Sequence, residues 1–244
     1  MTERPERVLV LIPAYNEAPR VGGVIAGIRA VLPAATIVVV DDGSADDTTR
    51  AAREAGATVV RLPFNLGAGA ARQVGFRYAR AHGFRTVVIL DGDGQHEPAD
   101  APLLLEELRR GEADMILGSR FLGAGDYRTP ALRALGMGMI KSLIKLTTGQ
   151  VVTDPTSGYQ ALGPRALALF AGPGYPSDYA DAEVLIMTRR AGLRLREAPV
   201  RMYQRSGGQS MFTGLRPAWY MFKMLLSVLV TMLRPAERVE GGES

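Results

Sequence analysis

Two apolar, β-branched runs that end abruptly in carboxylates constrain this chain more than any other feature. Thr86 to Leu90 runs into Asp91-Gly92-Asp93-Gly94-Gln95-His96, and Thr36 to Val40 runs into Asp41-Asp42-Gly43-Ser44. Neither run alternates with polar residues, so neither has a face for water, and each reads as a central strand of a parallel sheet covered on both sides. Open sheets of this kind place ligands at the carboxyl ends of their strands. There Asp91 and Asp93 present oxygen donors that suit a hard divalent cation and, through it, a diphosphate. A solvated Asp-Gly turn would explain either run alone; two acidic strand ends together point to a site.

The rest of the first half keeps the same beat. Val8 to Ile12 reads as a strand closed by Pro13, and Val21, Ile25, Ile28 and Leu32 have helical spacing. After the strand Thr36 to Val40, Asp46 or Asp47 can cap a helix through Ala55, and Thr58 to Leu62 is a third strand. A helix over Ala70 to Ala81 leads to the strand before Asp91, and Ala101 to Arg110 leads to the strand Met115 to Gly118. Strand and helix alternation predicts a doubly wound α/β sheet. The second half is punctuated by Pro130, Gly149, Pro155, Gly163-Pro164 and Gly172-Pro173-Gly174, and substrate-specific parts are expected there.

Composition narrows the function classes. A chain of 244 residues with 47% hydrophobic content can bury one sizeable core, and a single α/β domain is expected over residues 1–213. Absence of cysteine excludes disulfides and thiolate metal sites. Met1 to Arg7 is polar and charged, with no apolar signal segment, so a cytoplasmic location is expected. Lys and Arg number 29 against 25 Asp and Glu, a mild, Arg-rich excess that suits phosphate-bearing ligands or an anionic surface rather than nucleic acid.

At the end of the first strand, Pro13-Ala14-Tyr15-Asn16-Glu17 shares a sheet edge with Asp41-Asp42. Tyr15 offers a face for a base or ribose, and Glu17 or Asp42 can accept hydrogen bonds from either. Helix capping by Asn16 and Glu17 is the ordinary alternative. Asn65-Leu66-Gly67-Ala68-Gly69 followed by a helix and an acid-ended strand suggests a dinucleotide-binding dehydrogenase as a rival. Arg72 stands where that fingerprint needs a third glycine, and Asp91 belongs to a two-carboxylate cluster, so the rival is weak. A P-loop ATPase is weaker, because no Gly-Lys-Ser or Gly-Lys-Thr follows a glycine loop.

Ile12-Pro-Ala-Tyr-Asn-Glu17, Val40-Asp-Asp-Gly-Ser44, Asn65-Leu-Gly67 and Asp91-Gly-Asp-Gly-Gln-His96, in this order, resemble the family 2 glycosyltransferases. Gly118-Ser-Arg-Phe121, Ser157-Gly-Tyr-Gln160, and Pro199-Val200 followed by Arg205, Gly208 and Ser210 are similar to the branch of polyprenyl-phosphate (dolichyl-phosphate) mannose or glucose synthases. The resemblance covers roughly Val8 to Ser210. It implies a GT-A fold with a mostly parallel sheet, an inverting transfer, and a nucleotide-sugar donor bound with Mg2+ or Mn2+. It further implies that Pro13, Ala14, Tyr15, Glu17, Asp42, Asp91, Gly92, Arg205 and Ser210 hold the nucleotide sugar. Asp91, Asp93 and Gln95 become metal ligands, and Asp93, Arg120, Asp181 and Glu183 stand at catalytic positions, with Arg120 and Arg205 on phosphate groups. In one departure, Met211 stands where that branch has a lysine after Gly-x-Ser.

An inverting transfer must stabilise the departing nucleoside diphosphate while a nucleophile attacks the anomeric carbon from the opposite face. A lipid phosphate, with a second pKa of about 6 by analogy with phosphoserine, is already anionic at neutral pH and needs no general base. A hydroxyl acceptor would need Asp181 or Glu183 to take its proton; Glu183 otherwise reads as an acidic residue in a first helical turn. A non-catalytic nucleotide-sugar-binding protein is the alternative outside catalysis, and the intact Asp91, Asp93 and Gln95 weigh against it.

Residues 214–235 follow the region that carries the resemblance. Trp219, Tyr220 and Phe222 precede the apolar run Met224 to Leu233, flanked by Arg216, Lys223 and Arg234. The run is about half the roughly 20 residues that cross a bilayer, so an amphipathic helix lying on the cytoplasmic membrane surface is expected. Packing on the protein's own core or in a homodimer is the alternative, and residues 236–244 read as a flexible tail.

Overall fold

The computed structural model describes residues 7–123, 131–177, 182–203 and 230, with only the backbone at 131–135. Seven strands, β1 (Val8–Ala14), β2 (Thr36–Asp41), β3 (Thr58–Arg61), β4 (Thr86–Ile89), β5 (Met115–Ser119), β6 (Gln160–Leu162) and β7 (Leu195–Pro199), form one sheet ordered β3-β2-β1-β4-β6-β5-β7. Every pairing is parallel except those of β6, which runs antiparallel between β4 and β5. The helices are α1 (Ala18–Val31), α2 (Thr48–Glu54), α3 (Ala68–Ala81), α4 (Ala101–Arg109), α5 (Ala131–Thr148), α6 (Pro164–Phe170) and α7 (Ala182–Arg190).

The continuous apolar runs are explained by burial on both faces. Leu9, Leu11, Val38, Val40, Val87 and Ile89 belong to the core that includes Ala71 and Phe76 of α3, Phe170 of α6 and Leu185 of α7. Val10, Ile12, Ile37, Val39, Val88 and Leu90 alternate onto the other side, against Val21, Ile25 and Ile28 of α1 and Leu104 and Leu105 of α4. Helix α3 packs closely on β1 at Gly75, where a Cβ would lie 2.2 Å from Leu11 Cδ1. The close-packing glycine thus sits one helical turn beyond Arg72.

Several expectations change in detail. β1 does not stop at Pro13: it continues to Ala14, pairing Pro13 with Val40 and Ala14 with Asp41. The Pro13 carbonyl accepts from Gly92 N–H at 3.2 Å, on the side where β4 has already ended, so the missing proline N–H costs no ladder bond there. Asp46, not Asp47, supplies the carboxylate at the start of α2, accepting from Thr48 N–H at 3.0 Å and from Ala18 N–H at 3.1 Å. A purely doubly wound reading misses both the antiparallel β6 and the 18-residue α5. Of the expected helix at residues 214–235 only Val230 is described, as helical and exposed, and Asp181, Arg205, Ser210 and Met211 lie outside the described residues. No described helix is long and apolar enough to cross a membrane.

Candidate active site

The chain leaves β1 towards β2 and β3 on one side and returns to β4 on the other, so the order reverses between β1 and β4. A crevice for ligands opens at the carboxyl ends of strands flanking such a switch. Here those ends carry Tyr15–Glu17 after β1, Asp42 after β2 and Asp91–Gln95 after β4. Backbone bonds stitch the three together: Asp42 N–H donates to Ala14 O at 2.9 Å, and Gly92 N–H to Pro13 O.

On the β1–β2 side, Tyr15 is exposed while Glu17 and Asp42 are buried. Asn16 adopts a φ of 55°, and its side chain accepts from Ala45 N–H at 2.8 Å while its N–H donates to Ser44 Oγ at 2.9 Å. Glu17 N–H donates to Thr48 Oγ1 at 2.8 Å, and its carboxylate pairs with Arg20 at 2.8 Å. Asp42 accepts from Leu66 N–H at 2.7 Å and Gly67 N–H at 2.9 Å. Its carboxylate therefore folds the Asn65–Gly67 loop onto the strand end, and any base or ribose contact is made by a residue already oriented by two amides.

Asp91 is the centre of the β4 side. Its Oδ1 lies 3.1 Å from Arg72 Nη2, and its Oδ2 lies 4.0 Å from His96 Nε2. Asp91 N–H donates to His96 Nδ1 at 3.0 Å, which places the imidazole proton on Nε2, facing the carboxylate. Burial pushes the His96 pKa down, Asp91 opposing this in part, so the ring is neutral near neutral pH. It stacks on Tyr159 at 5.0 Å between centroids, and the Tyr159 hydroxyl donates to Glu97 O at 3.0 Å. Gly158 lies against Arg72 and Asp91: a Cβ there would stand 2.6 Å from Arg72 Nη2 and 2.8 Å from Asp91 Oδ2. The antiparallel β6 is what carries Ser157-Gly158-Tyr159 to this end of the sheet.

Asp93 accepts from Gln95 N–H at 3.0 Å, tightening the loop. Gln95 donates Nε2 to Tyr203 O at 3.2 Å and accepts Tyr203 N–H at 2.8 Å on its backbone oxygen. The chain leaving β7 is thereby bonded to the metal-candidate loop, and Arg205 is two residues further along in sequence. Asp91, Asp93 and Gln95 are half-buried oxygen donors. Among the described residues no cluster of three or more His, Asp or Glu stands ready for a metal. A hard cation held by two carboxylates, an amide oxygen, diphosphate oxygens and water fits this donor set, because such ions keep much of their shell from substrate and solvent.

Arg120, after β5, is buried and paired with the fully buried Asp154, Nε to Oδ2 at 2.6 Å and Nη2 to Oδ1 at 3.0 Å. A phosphate on Arg120 would share its guanidinium with Asp154. Glu183 is buried in the first turn of α7. The residues alone show no site role for Arg72, for His96 as a contact of Asp91, for Asp154 or for Glu197, although Arg72 already stood against a dinucleotide fingerprint. Only Arg72 left a signal, as an arginine directly after the small-residue stretch Gly67–Ala71.

The fold and these strand-end acids define a GT-A-like α/β protein, the architecture of nucleotide-sugar transferases. The chain belongs to glycosyl transferase family 2, whose model matches residues 9–167. It is 33% identical over 221 residues to an undecaprenyl-phosphate mannosyltransferase of Micrococcus luteus, covering 85% of this chain and 88% of that protein. It is 29% identical to a polyprenol monophosphomannose synthase of Mycolicibacterium smegmatis, over 91% of this chain and 88% of the relative. The crystal structure of a glucosyl-3-phosphoglycerate synthase from Mycobacterium tuberculosis with Mn2+, UDP-glucose and phosphoglyceric acid superposes with a TM-score of 0.71 at 21% identity, over 95% of this chain and 81% of that one. At that identity the superposition speaks for the fold.

Proposed function

We propose that the protein transfers a hexose, mannose or glucose, from a GDP- or UDP-sugar to polyprenyl phosphate at the cytoplasmic face of a membrane. The observation that carries the reading is the oxygen-donor loop Asp91–Gln95 at the switch of the sheet, with Asp91 held by Arg72, in a chain similar over most of its length to polyprenyl-phosphate mannosyltransferases. Asp91, Asp93 and Gln95 would hold Mg2+ or Mn2+; when bound, the ion supplies positive charge opposite the departing diphosphate. Pro13, Ala14, Tyr15, Glu17, Asp42 and Gly92 would surround the nucleotide. Arg120 and Arg205 would face phosphate groups, and Ser210 would contact the nucleotide sugar. An oxygen of the acceptor phosphate attacks the anomeric carbon as the bond from that carbon to the donor diphosphate breaks, and the electron pair leaves with the nucleoside diphosphate. No proton has to be removed, so Asp181 and Glu183 are not required as bases.

Residues 214–235 would bring this site to its lipid. The test pairs two measurements: sugar transfer from GDP-mannose, GDP-glucose and UDP-glucose with Mg2+ or Mn2+, with and without polyprenyl phosphate, and sedimentation with anionic liposomes at low salt. Cation-dependent transfer to the lipid is expected from one donor, together with loss of sedimentation in a chain ending at Thr213. Transfer only to hydroxyl acceptors would overturn the acceptor; a full-length chain that ignores liposomes would overturn the membrane contact.

A further inference from the structure

Arg120 is held by two successive layers of hydrogen bonds. Asp154 Oδ2 accepts from both the backbone N–H of Arg120, at 3.1 Å, and its Nε, while Oδ1 accepts from Nη2. Thr156 Oγ1 lies 3.2 Å from the same Nη2. One edge of the planar guanidinium is thus aligned with one carboxylate, an arrangement that fixes its plane as well as its position. Asp154 is held in turn from β7. Its N–H donates to Glu197 Oε1 at 3.0 Å, and Thr153 gives Glu197 its N–H, at 2.8 Å to Oε2, and its hydroxyl, at 2.9 Å to Oε1. From β5, Ser119 Oγ bonds Thr153 Oγ1 at 2.6 Å.

This cluster sets one guanidinium against two carboxylates, so as a source of positive field it is poor. A buried ion pair is also a weak source of stability, since apolar residues of equal volume serve as well. What the arrangement supplies is direction. We propose that Asp154 and Glu197 are positioning residues that aim the Arg120 guanidinium at a phosphate of the reaction; the inference rests on the phosphate-facing reading of Arg120 above.

Geometry and charge predict opposite signs. If Asp154 merely neutralised Arg120, Asp154→Asn would tighten phosphate binding; if it aims the fork, the same change loosens it. Glu197 is half-buried, so Glu197→Gln is the milder substitution, and it sets an amide NH2 against the N–H of Thr153 in one orientation and against those of Thr153 and Asp154 in the other. The experiment measures acceptor and donor KM with polyprenyl phosphate, binding of inorganic phosphate as a probe, and the thermal midpoint of every variant. Glu197→Gln and Asp154→Asn are each expected to raise the acceptor KM and the phosphate Kd about tenfold, the scale of one charge-assisted hydrogen bond, with the donor KM changed less than about twofold. Added to Arg120→Ala, Glu197→Gln should cost nothing more, because residues acting through one group are not additive. Wild-type phosphate affinity in Glu197→Gln, tighter binding in Asp154→Asn, or a further loss in the double variant each overturns the inference. Phosphate binding that depends on Arg120 without any transfer to polyprenyl phosphate removes the lipid acceptor and leaves the positioning intact. Phosphate binding indifferent to Arg120→Ala removes both the contact and its positioning.

Discussion

Arg72 and Asp91 meet at 3.1 Å, Nη2 to Oδ1, although one comes from the first turns of α3 and the other from the end of β4. The contact turns an arginine inside a small-residue helix start into the partner of the central carboxylate of the site. Arg72→Met should therefore reduce turnover and raise the cation concentration for half-maximal activity, each by about tenfold to a hundredfold, the usual scale for a residue that orients a metal ligand. Cation titrations of the variant check this; wild-type cation dependence would show that Asp91 needs no such partner.

Gly158 is required by the same contact. Gly158→Ala places a methyl 2.6 Å from Arg72 Nη2 and 2.8 Å from Asp91 Oδ2, so these two side-chain ends must move apart from it and their contact is disturbed. Overpacking of this kind costs about 1–3 kcal/mol. A fall of the thermal midpoint by several degrees, at about 2–4 °C per kcal/mol, should accompany the loss of activity. Calorimetry on the variant, beside Arg72→Met, separates the two effects.

Asp93 stands half-buried in a strand-end loop, outside the hydrophobic core, and accepts from Gln95 N–H. Asp93→Ala should abolish turnover while changing stability by about 0.5 kcal/mol or less, as for substitutions outside the core. A chelator should do the same to the wild-type protein. Activity that survives either treatment removes the metal assignment.

Glu183 separates the two acceptor chemistries. With a phosphate acceptor, Glu183→Gln should keep substantial turnover; with a hydroxyl acceptor, loss of a general base predicts about a hundredfold decrease or more. Equal losses with both acceptors would mean that this buried residue supports α7.

Asp114 lies at the opposite end of the sheet and contributes to acid stability. Burial pushes its carboxyl pKa up, but the bonds from Arg194 and the charge of Arg165 more than offset this, leaving it below its ordinary value of 3.8. A carboxyl depressed on folding contributes stability above its unfolded pKa and loses it as pH falls through its folded pKa. Wild-type urea midpoints should fall more steeply below about pH 4 than those of Asp114→Asn, whose carboxamide does not titrate there. Parallel curves would show that Asp114 contributes no linkage.

The alternating strands, the two acidic strand ends and the family were legible in the residues, because each depends on local pattern. Unbroken runs rich in β-branched residues, such as Val8–Ile12 and Thr36–Val40, read as strands buried on both faces, and carboxylates directly after them emerge at one end of a parallel sheet. The antiparallel β6 was not legible: three residues, Gln160–Leu162, are too few to show a period. Nor was the partner of any site residue. Arg72 reaches Asp91 across 19 residues, Arg120 reaches Asp154 across 34, and Glu197 returns to Thr153 across 44. Periodicity states which face a side chain takes on its own element, whereas an ion pair between elements depends on how the chain threads the sheet. The sequence thus determined which groups gather at the β1–β4 switch; only the tertiary structure decided which of them hold one another, and in what direction.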